Sequence, residues 1–171
     1  MPSCAPIQTW RCAAGRALNF GFFGSRESIG PSINGKLSEY HAAVGLADLD
    51  GWPEKRQGFI AAAEAYRAEA KAARLGQRII AETANANPYA LFLADDAAFA
   101  RRAEAALQAG VADTRKWYGT GLHQQPEFAT CPRGALDVTD DIAPRLIGLP
   151  LSCDLTRGEI RRIVTTIAAA T

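Results

Sequence analysis

The chain has 171 residues, 48% of them hydrophobic, with 19 basic and 18 acidic side chains and a net charge of +1. That length supports one sizeable core, burying about 70% of the unfolded surface, and the composition is that of an ordinary globular protein. Balanced charge without a basic stripe argues against nucleic acid as a partner, no run approaches the ~20 apolar residues of a membrane helix, and the opening Met-Pro-Ser-Cys-Ala-Pro lacks the pattern of a secretory signal.

Residues 1–15 show no clear period and read as an irregular or flexible terminus. Four cysteines, at positions 4, 12, 131 and 153, have no Cys-x-x-Cys spacing, and only two histidines accompany them. They are expected to be free thiols in a reducing cytoplasm, and no metal site is expected. Phe20-Gly-Phe-Phe-Gly-Ser reads as a loop whose rings need a cover. Gly30-Pro31 interrupts the chain, and Asn34-Gly35 suits a turn with positive φ. From Lys36 a helix is expected, with Leu37, Tyr40, His41, Val44 and Ala47 or Asp48 at helical spacing. It ends near Asp50-Gly51, and Pro53 suits the first turn of a second helix. Phe59, Ala62, Ala63, Tyr66, Ala70 and Ala73 give that helix a long apolar stripe. The two read as a helix pair or as one rod kinked at Pro53.

Residues 78–83 form a short strand candidate, 84–88 break it, and 89–94 read as a buried strand. Asp95 or Asp96 caps a helix with Phe99, Ala103, Ala106 and Leu107 on its inner face and Gly110 at its stop. Residues 111–114 suggest a further short strand, and 115–133 a loop. Asp140 or Asp141 is expected to cap a helix through Ala143, although Pro144 falls within it. Asp137, Asp140 and Asp141 read as caps and dipole partners rather than metal ligands. Residues 146–151 are an apolar strand. The last helix opens on Thr156-Arg-Gly-Glu159, a capping box, and buries Ile160, Ile163, Val164 and Ile167. The fold class is therefore α+β: a long helix or helix pair plus a small, mostly antiparallel sheet with helices on one face.

Ser-Ile-Asn-Gly-Lys-Leu-Ser-Glu-Tyr-His-Ala-Ala-Val-Gly-Leu, residues 32–46, resembles a signature of the DegT/DnrJ/StrS nucleotide-sugar aminotransferases, which runs roughly Gly-x-Asn-x-Arg-Leu-Ser-Glu. The resemblance extends from Arg16 to the end. It implies the C-terminal part of a pyridoxal-phosphate enzyme, like the C-terminal domain of a fold-type I aminotransferase, with one domain over residues 16–171. It also implies that Asn34 reaches across a dimer to the phosphate of the partner's cofactor. Lys36 stands where the family often has arginine, keeping the charge without the bidentate fork. By itself, Asn34 before glycine reads as an ordinary turn or cap, and Lys36 as a solvated side chain.

Arg115, Trp117, Tyr118 and His123 resemble the family's Thr-Arg-x-Tyr-Tyr-x-Pro-x-His region, which implies contact with the nucleotide sugar: an arginine for a diphosphate and rings for the sugar. Without the resemblance they read as a surface loop, and His123 has no assignable partner. Transamination also needs a lysine that forms a Schiff base with the cofactor. The family places it in an N-terminal domain, after Ser-Phe/Tyr-x-x-x-Lys. Lys36, Lys55, Lys71 and Lys116 all lack that context. The chain is thus expected to bind pyridoxal phosphate only with a complementary N-terminal domain, to be inactive alone, and to work as a homodimer or with that half. A nucleotide sugar and an amino donor would be the substrates of the complete enzyme. The alternative is a non-catalytic dimerisation or regulatory module derived from the same family.

Overall fold

Three antiparallel strands and the helices packed on them organise most of the chain. The computed structural model describes residues 7–116 and 119–171. It divides into two units, one ending at Asp50 and the other running from Gly51 to Thr171.

The larger unit begins with α3 (Trp52–Ala72), which has Pro53 in its first turn. The sheet follows, as β1 (Ile79–Ile80), β2 (Tyr89–Leu93) and β3 (Leu146–Pro150), in the spatial order β1-β2-β3. Ile79 pairs with Phe92 and Ile80 with Leu91. On the other side of β2, Ala90 pairs with Leu149 and Phe92 with Ile147. Side chains alternate between faces along a strand. One face therefore gathers Ile79, Ala90, Phe92, Ile147 and Leu149, all buried, whereas Ile80 on the opposite face is exposed.

The buried face is covered by α3, α4 (Ala97–Gln108) and α6 (Arg157–Ala169). Each helix turns its apolar stripe inward: Ala62, Ala63, Tyr66 and Ala70 from α3, Phe99, Ala103 and Leu107 from α4, and Ile160, Ile163, Val164 and Ile167 from α6. The Phe99 ring meets Phe92 edge-on at 5.5 Å between centroids, the arrangement that ring quadrupoles favour. Asp96 caps α4 by accepting from the Phe99 N–H at 2.7 Å. Thr156 and Glu159 form both halves of the capping box on α6.

Where α3 and α6 meet, the buried Glu69 carboxylate accepts from Arg157 at 2.8 Å and from Arg161 at 3.1 Å. Those hydrogen bonds, Arg161's first and then Arg157's, hold its carboxyl below the usual range. The Tyr66 hydroxyl donates to the Pro150 carbonyl at 2.7 Å, and burial pushes its pKa upward.

Two sequence expectations change here. Residues 111–114 form no strand, because the N–H groups of Val111 and Ala112 both turn back onto the Leu107 carbonyl and close α4. The helix near Asp140 is α5 (Asp137–Ile142), and Pro144 falls in a separate 3-10 turn, Ala143–Arg145.

The smaller unit holds α1 (Ile7–Ala17) and α2 (Glu39–Asp50). Residues 7–15 are thus helical rather than irregular, in keeping with the helix propensity of their alanines and arginine. The second helix starts at Glu39, not Lys36, because Ser38 ends the preceding loop: its Oγ accepts from the His41 N–H at 3.3 Å. None of the residues of α2 is buried, so its apolar positions face outward instead of into a core.

Candidate functional site

The first cluster of sequence-predicted residues, Asn34 and Lys36, lies in the smaller unit. Beyond α1 the chain turns sharply through Phe20 (φ +54°) and Gly21 (φ +80°). Gly21 is required twice over: its φ is left-handed, and a Cβ there would sit 2.3 Å from the Ser28 hydroxyl and 3.0 Å from the Ser28 backbone. The turn lets two extended segments meet in an isolated antiparallel bridge between Asn19 and Asn34. Ile33 donates to Ala17 O at 2.8 Å, Phe20 to Ile33 O at 3.2 Å, and Gly35 to Leu18 O at 2.9 Å. Asn34 is therefore neither a helix cap nor the left-handed residue of a tight turn, and Gly35 has no positive φ. Its backbone is held, while its side chain is exposed and makes no hydrogen bond among the described residues.

Beside this bridge is a hollow of about 390 Å³ lined by Asn19, Phe20, Phe22, Ser25, Arg26 and Lys36. The Lys36 ammonium lies 4.8 Å from the centre of the Phe20 ring, within cation–π range. Two cations, a hydroxyl and an amide thus converge with no carboxylate among the lining residues. Such a donor set suits an anion with several acceptor oxygens. Arg26 and Ser25 were not singled out in the sequence; their loop carries no motif of its own.

The second cluster lies in the larger unit. Arg115 exchanges both main-chain hydrogen bonds with Gly148 of β3, at 2.9 Å and 2.7 Å, and its side chain is exposed. Trp117 and Tyr118 lie outside the described residues. His123 belongs to a 3-10 turn, Leu122–Gln124, entered through Gly121 at φ +118°. A Cβ at position 121 would come within 2.6 Å of the His123 ring, so both the backbone and the ring need glycine there.

His123 is held from the other side by α5. Its Nε2 lies 2.7 Å from Asp140 Oδ1, and the Gln124 amide donates to the same oxygen at 3.2 Å. The His123 side chain is only 10% exposed. These two hydrogen bonds, His123's foremost, hold the Asp140 carboxyl below its usual range. With a carboxylate as acceptor, Nε2 is the protonated nitrogen. The pair provides the partner for His123 that spacing could not supply, since the two residues are 17 apart.

His123 lines a cleft of about 390 Å³ with Leu122, Phe128, Cys131, Arg133 and Thr139. The walls are largely apolar, with few polar groups, as in a small-ligand site. Arg115 is not among its lining residues, so the structure brings His123 together with Arg133 and Cys131 rather than with Arg115. Among the described residues no group of three or more His, Cys, Asp or Glu side chains could hold a metal ion. The described cysteines are free thiols. No helix among the described residues is long and apolar enough to cross a membrane.

The chain matches the model of the DegT/DnrJ/EryC1/StrS aminotransferase family over residues 13–168. It is 31% identical over 160 residues to Protein Rv3402c of Mycobacterium tuberculosis (strain H37Rv), a match covering 89% of this chain and 38% of that protein. Its structure is similar to that of a Bacillus cereus ATCC 10987 protein described as a PLP-dependent aminotransferase, with a TM-score of 0.78 and 26% identity over 89% of this chain and 42% of the other. It is also similar to DesI, solved in the presence of its TDP-sugar product, with a TM-score of 0.74 and 25% identity over 91% of this chain and 41% of DesI. The chain spans about two fifths of the length of these relatives.

Proposed function

The chain belongs to the DegT/DnrJ/EryC1/StrS aminotransferase family, and we propose that it forms the C-terminal portion of a pyridoxal-phosphate-dependent aminotransferase acting on nucleotide-linked keto sugars. The observation that carries the cofactor reading is the hollow lined by Ser25, Arg26 and Lys36 beside the Asn19–Asn34 bridge. Its donors fit the phosphate end of pyridoxal phosphate. When bound, that cofactor supplies the electron sink for amino-group transfer. The role of this chain's own residues is to hold and orient the phosphate, through the Lys36 charge in the hollow and through the Asn34 amide, which belongs to the bridge and not to the hollow's lining. Arg115, His123 and, outside the described residues, Trp117 and Tyr118 are assigned to the nucleotide sugar, with Arg133 added by its place in the His123 cleft.

None of Lys36, Lys55, Lys71 and Lys116 stands in the sequence context the reaction's lysine requires. Lys116 pairs with Glu104 at 2.9 Å, and Lys36 sits over Phe20. These 171 residues alone are therefore inactive, and a cofactor-binding N-terminal portion completes the site. A second reading, a non-catalytic dimerisation or regulatory module, is favoured by one feature: the outward-facing apolar side chains of α2.

Asn34→Ala separates the two readings, measured on the chain joined to or mixed with a cofactor-binding portion. A hydrogen bond to a charged group contributes about 1.5–3 kcal/mol, so cofactor affinity should fall roughly ten- to a hundredfold. Because Ser38 rather than Asn34 caps α2, the melting temperature should stay nearly constant. Unchanged cofactor affinity would remove Asn34 from the cofactor site and favour the module.

A further inference from the structure

β1 is an edge strand whose Ile79 and Ala81, 3% and 7% exposed, line a groove. β1 lies at the end of the strand order, with β2 on one side only. Leu93 donates to the Arg78 carbonyl at 2.8 Å, and antiparallel pairs alternate between bonded and non-bonded. With Ile80 opposite Leu91, the backbone groups of Ile79 and Ala81 point away from β2. The Ile79 N–H is taken by the Leu75 carbonyl at 3.2 Å. The Ile79 carbonyl and the Ala81 N–H have no partner among the described residues. An unpaired edge is a template for another strand.

Alongside that edge runs a groove of about 570 Å³, bounded by Arg67, Ala68 and Lys71 of α3 and by Gly76, Gln77, Ile79, Ile80 and Ala81. Arg67 and Lys71 are both exposed, four residues apart on one helix face, and no carboxylate lines the groove. Arg67 reaches Thr83 Oγ1 at 3.3 Å, at one end of the strand. On the opposite face of the sheet Ile80 is 53% exposed.

We propose that this edge and groove bind an extended acidic peptide segment as a fourth strand. The two faces set its pattern, since side chains of a strand alternate. Those directed toward α3 would be carboxylates, meeting Arg67 and Lys71; those on the other face would be apolar, packing beside Ile80. Main-chain bonds to the Ile79 carbonyl and the Ala81 N–H set the register. None of the residues lining this groove is among those assigned above to cofactor and sugar, so binding here does not depend on that assignment.

The test uses the full chain, labelled with ¹⁵N, and a capped decapeptide alternating glutamate and valine. A capped peptide alternating lysine and valine is the control. The acidic peptide should shift the amide signals of residues 79–81 and slow hydrogen exchange at Ala81, with binding weakening as salt is added. The lysine peptide should bind at least tenfold more weakly. The double variant Arg67→Glu and Lys71→Glu, whose altered side chains are on the surface, should keep the spectrum of the folded chain while losing at least tenfold in affinity for the acidic peptide. No binding, binding that leaves Ala81 exchange unchanged, or equal binding of the two peptides or by the two proteins would overturn the proposal.

Discussion

Tyr66 is the side chain on which the two layers of the larger unit converge. Its ring is fully buried, and its hydroxyl donates to the Pro150 carbonyl at the end of β3. Tyr66→Phe keeps the ring and removes the donor. It should destabilise the fold by about 1 kcal/mol, read as a lower denaturant midpoint with an unchanged slope. Glu69 makes a different prediction, about pH. Its carboxyl titrates below the unfolded value of about 4.3 because Arg161 and Arg157 donate to the ionised form. A depressed folded value means the contribution is complete above the unfolded value and is lost as pH falls through the folded one. Glu69→Gln should therefore lower the melting temperature at pH 7, and the gap from the parent chain should shrink as the pH is taken below about 4. A gap that stayed constant from pH 7 to pH 2 would show that packing, not charge, accounts for the loss.

Among the elements, α6 was the most legible in the sequence. Thr156 and Glu159 announce its start, and four apolar residues at helical spacing mark its inner face. Thr156→Ala should cost about 1 kcal/mol, measurable by thermal unfolding, with the fold retained because Ile160, Ile163, Val164 and Ile167 still bury the same face. β2 and β3 were also readable, as short apolar runs between breakers. Boundaries set by single hydrogen bonds were not. The start of α2 moved from Lys36 to Glu39 because a serine hydroxyl takes the His41 N–H, and the stretch after α4 remained a turn because two N–H groups share one carbonyl. The same limit held at the candidate site. Asn34 and His123 stood out only through the family's motifs, and Asp140 could not be linked to His123 until α5 was in place. Periodicity reports which face of an element is apolar, not what meets it: the helical spacing in α2 is real, yet Leu37, Tyr40, Val44, Leu46 and Leu49 in and just before it are 52–74% exposed.

For the whole molecule, that exposed apolar face has a direct consequence. Covering apolar surface contributes about 25 cal/mol per Å² before the costs of association. The chain by itself should therefore self-associate, with light scattering showing a mass that rises with concentration. A Leu46→Lys and Leu49→Lys double variant should shift it toward monomer, whereas a parent chain that stays monomeric at high concentration would count against the expectation. The Arg115–Gly148 bridge bears on how such a molecule changes over generations. Both of its hydrogen bonds use main-chain atoms, so the anchoring survives replacement of the arginine side chain. The constraint falls instead on Gly148, where a Cβ would lie 3.0 Å from the Arg115 carbonyl. Mutational tolerance is thus distributed unequally across one contact. At position 148 a side chain fits only if the facing backbone gives way, while the side chain at 115 can vary without loss of either main-chain bond, so change at the exposed position costs foldability little.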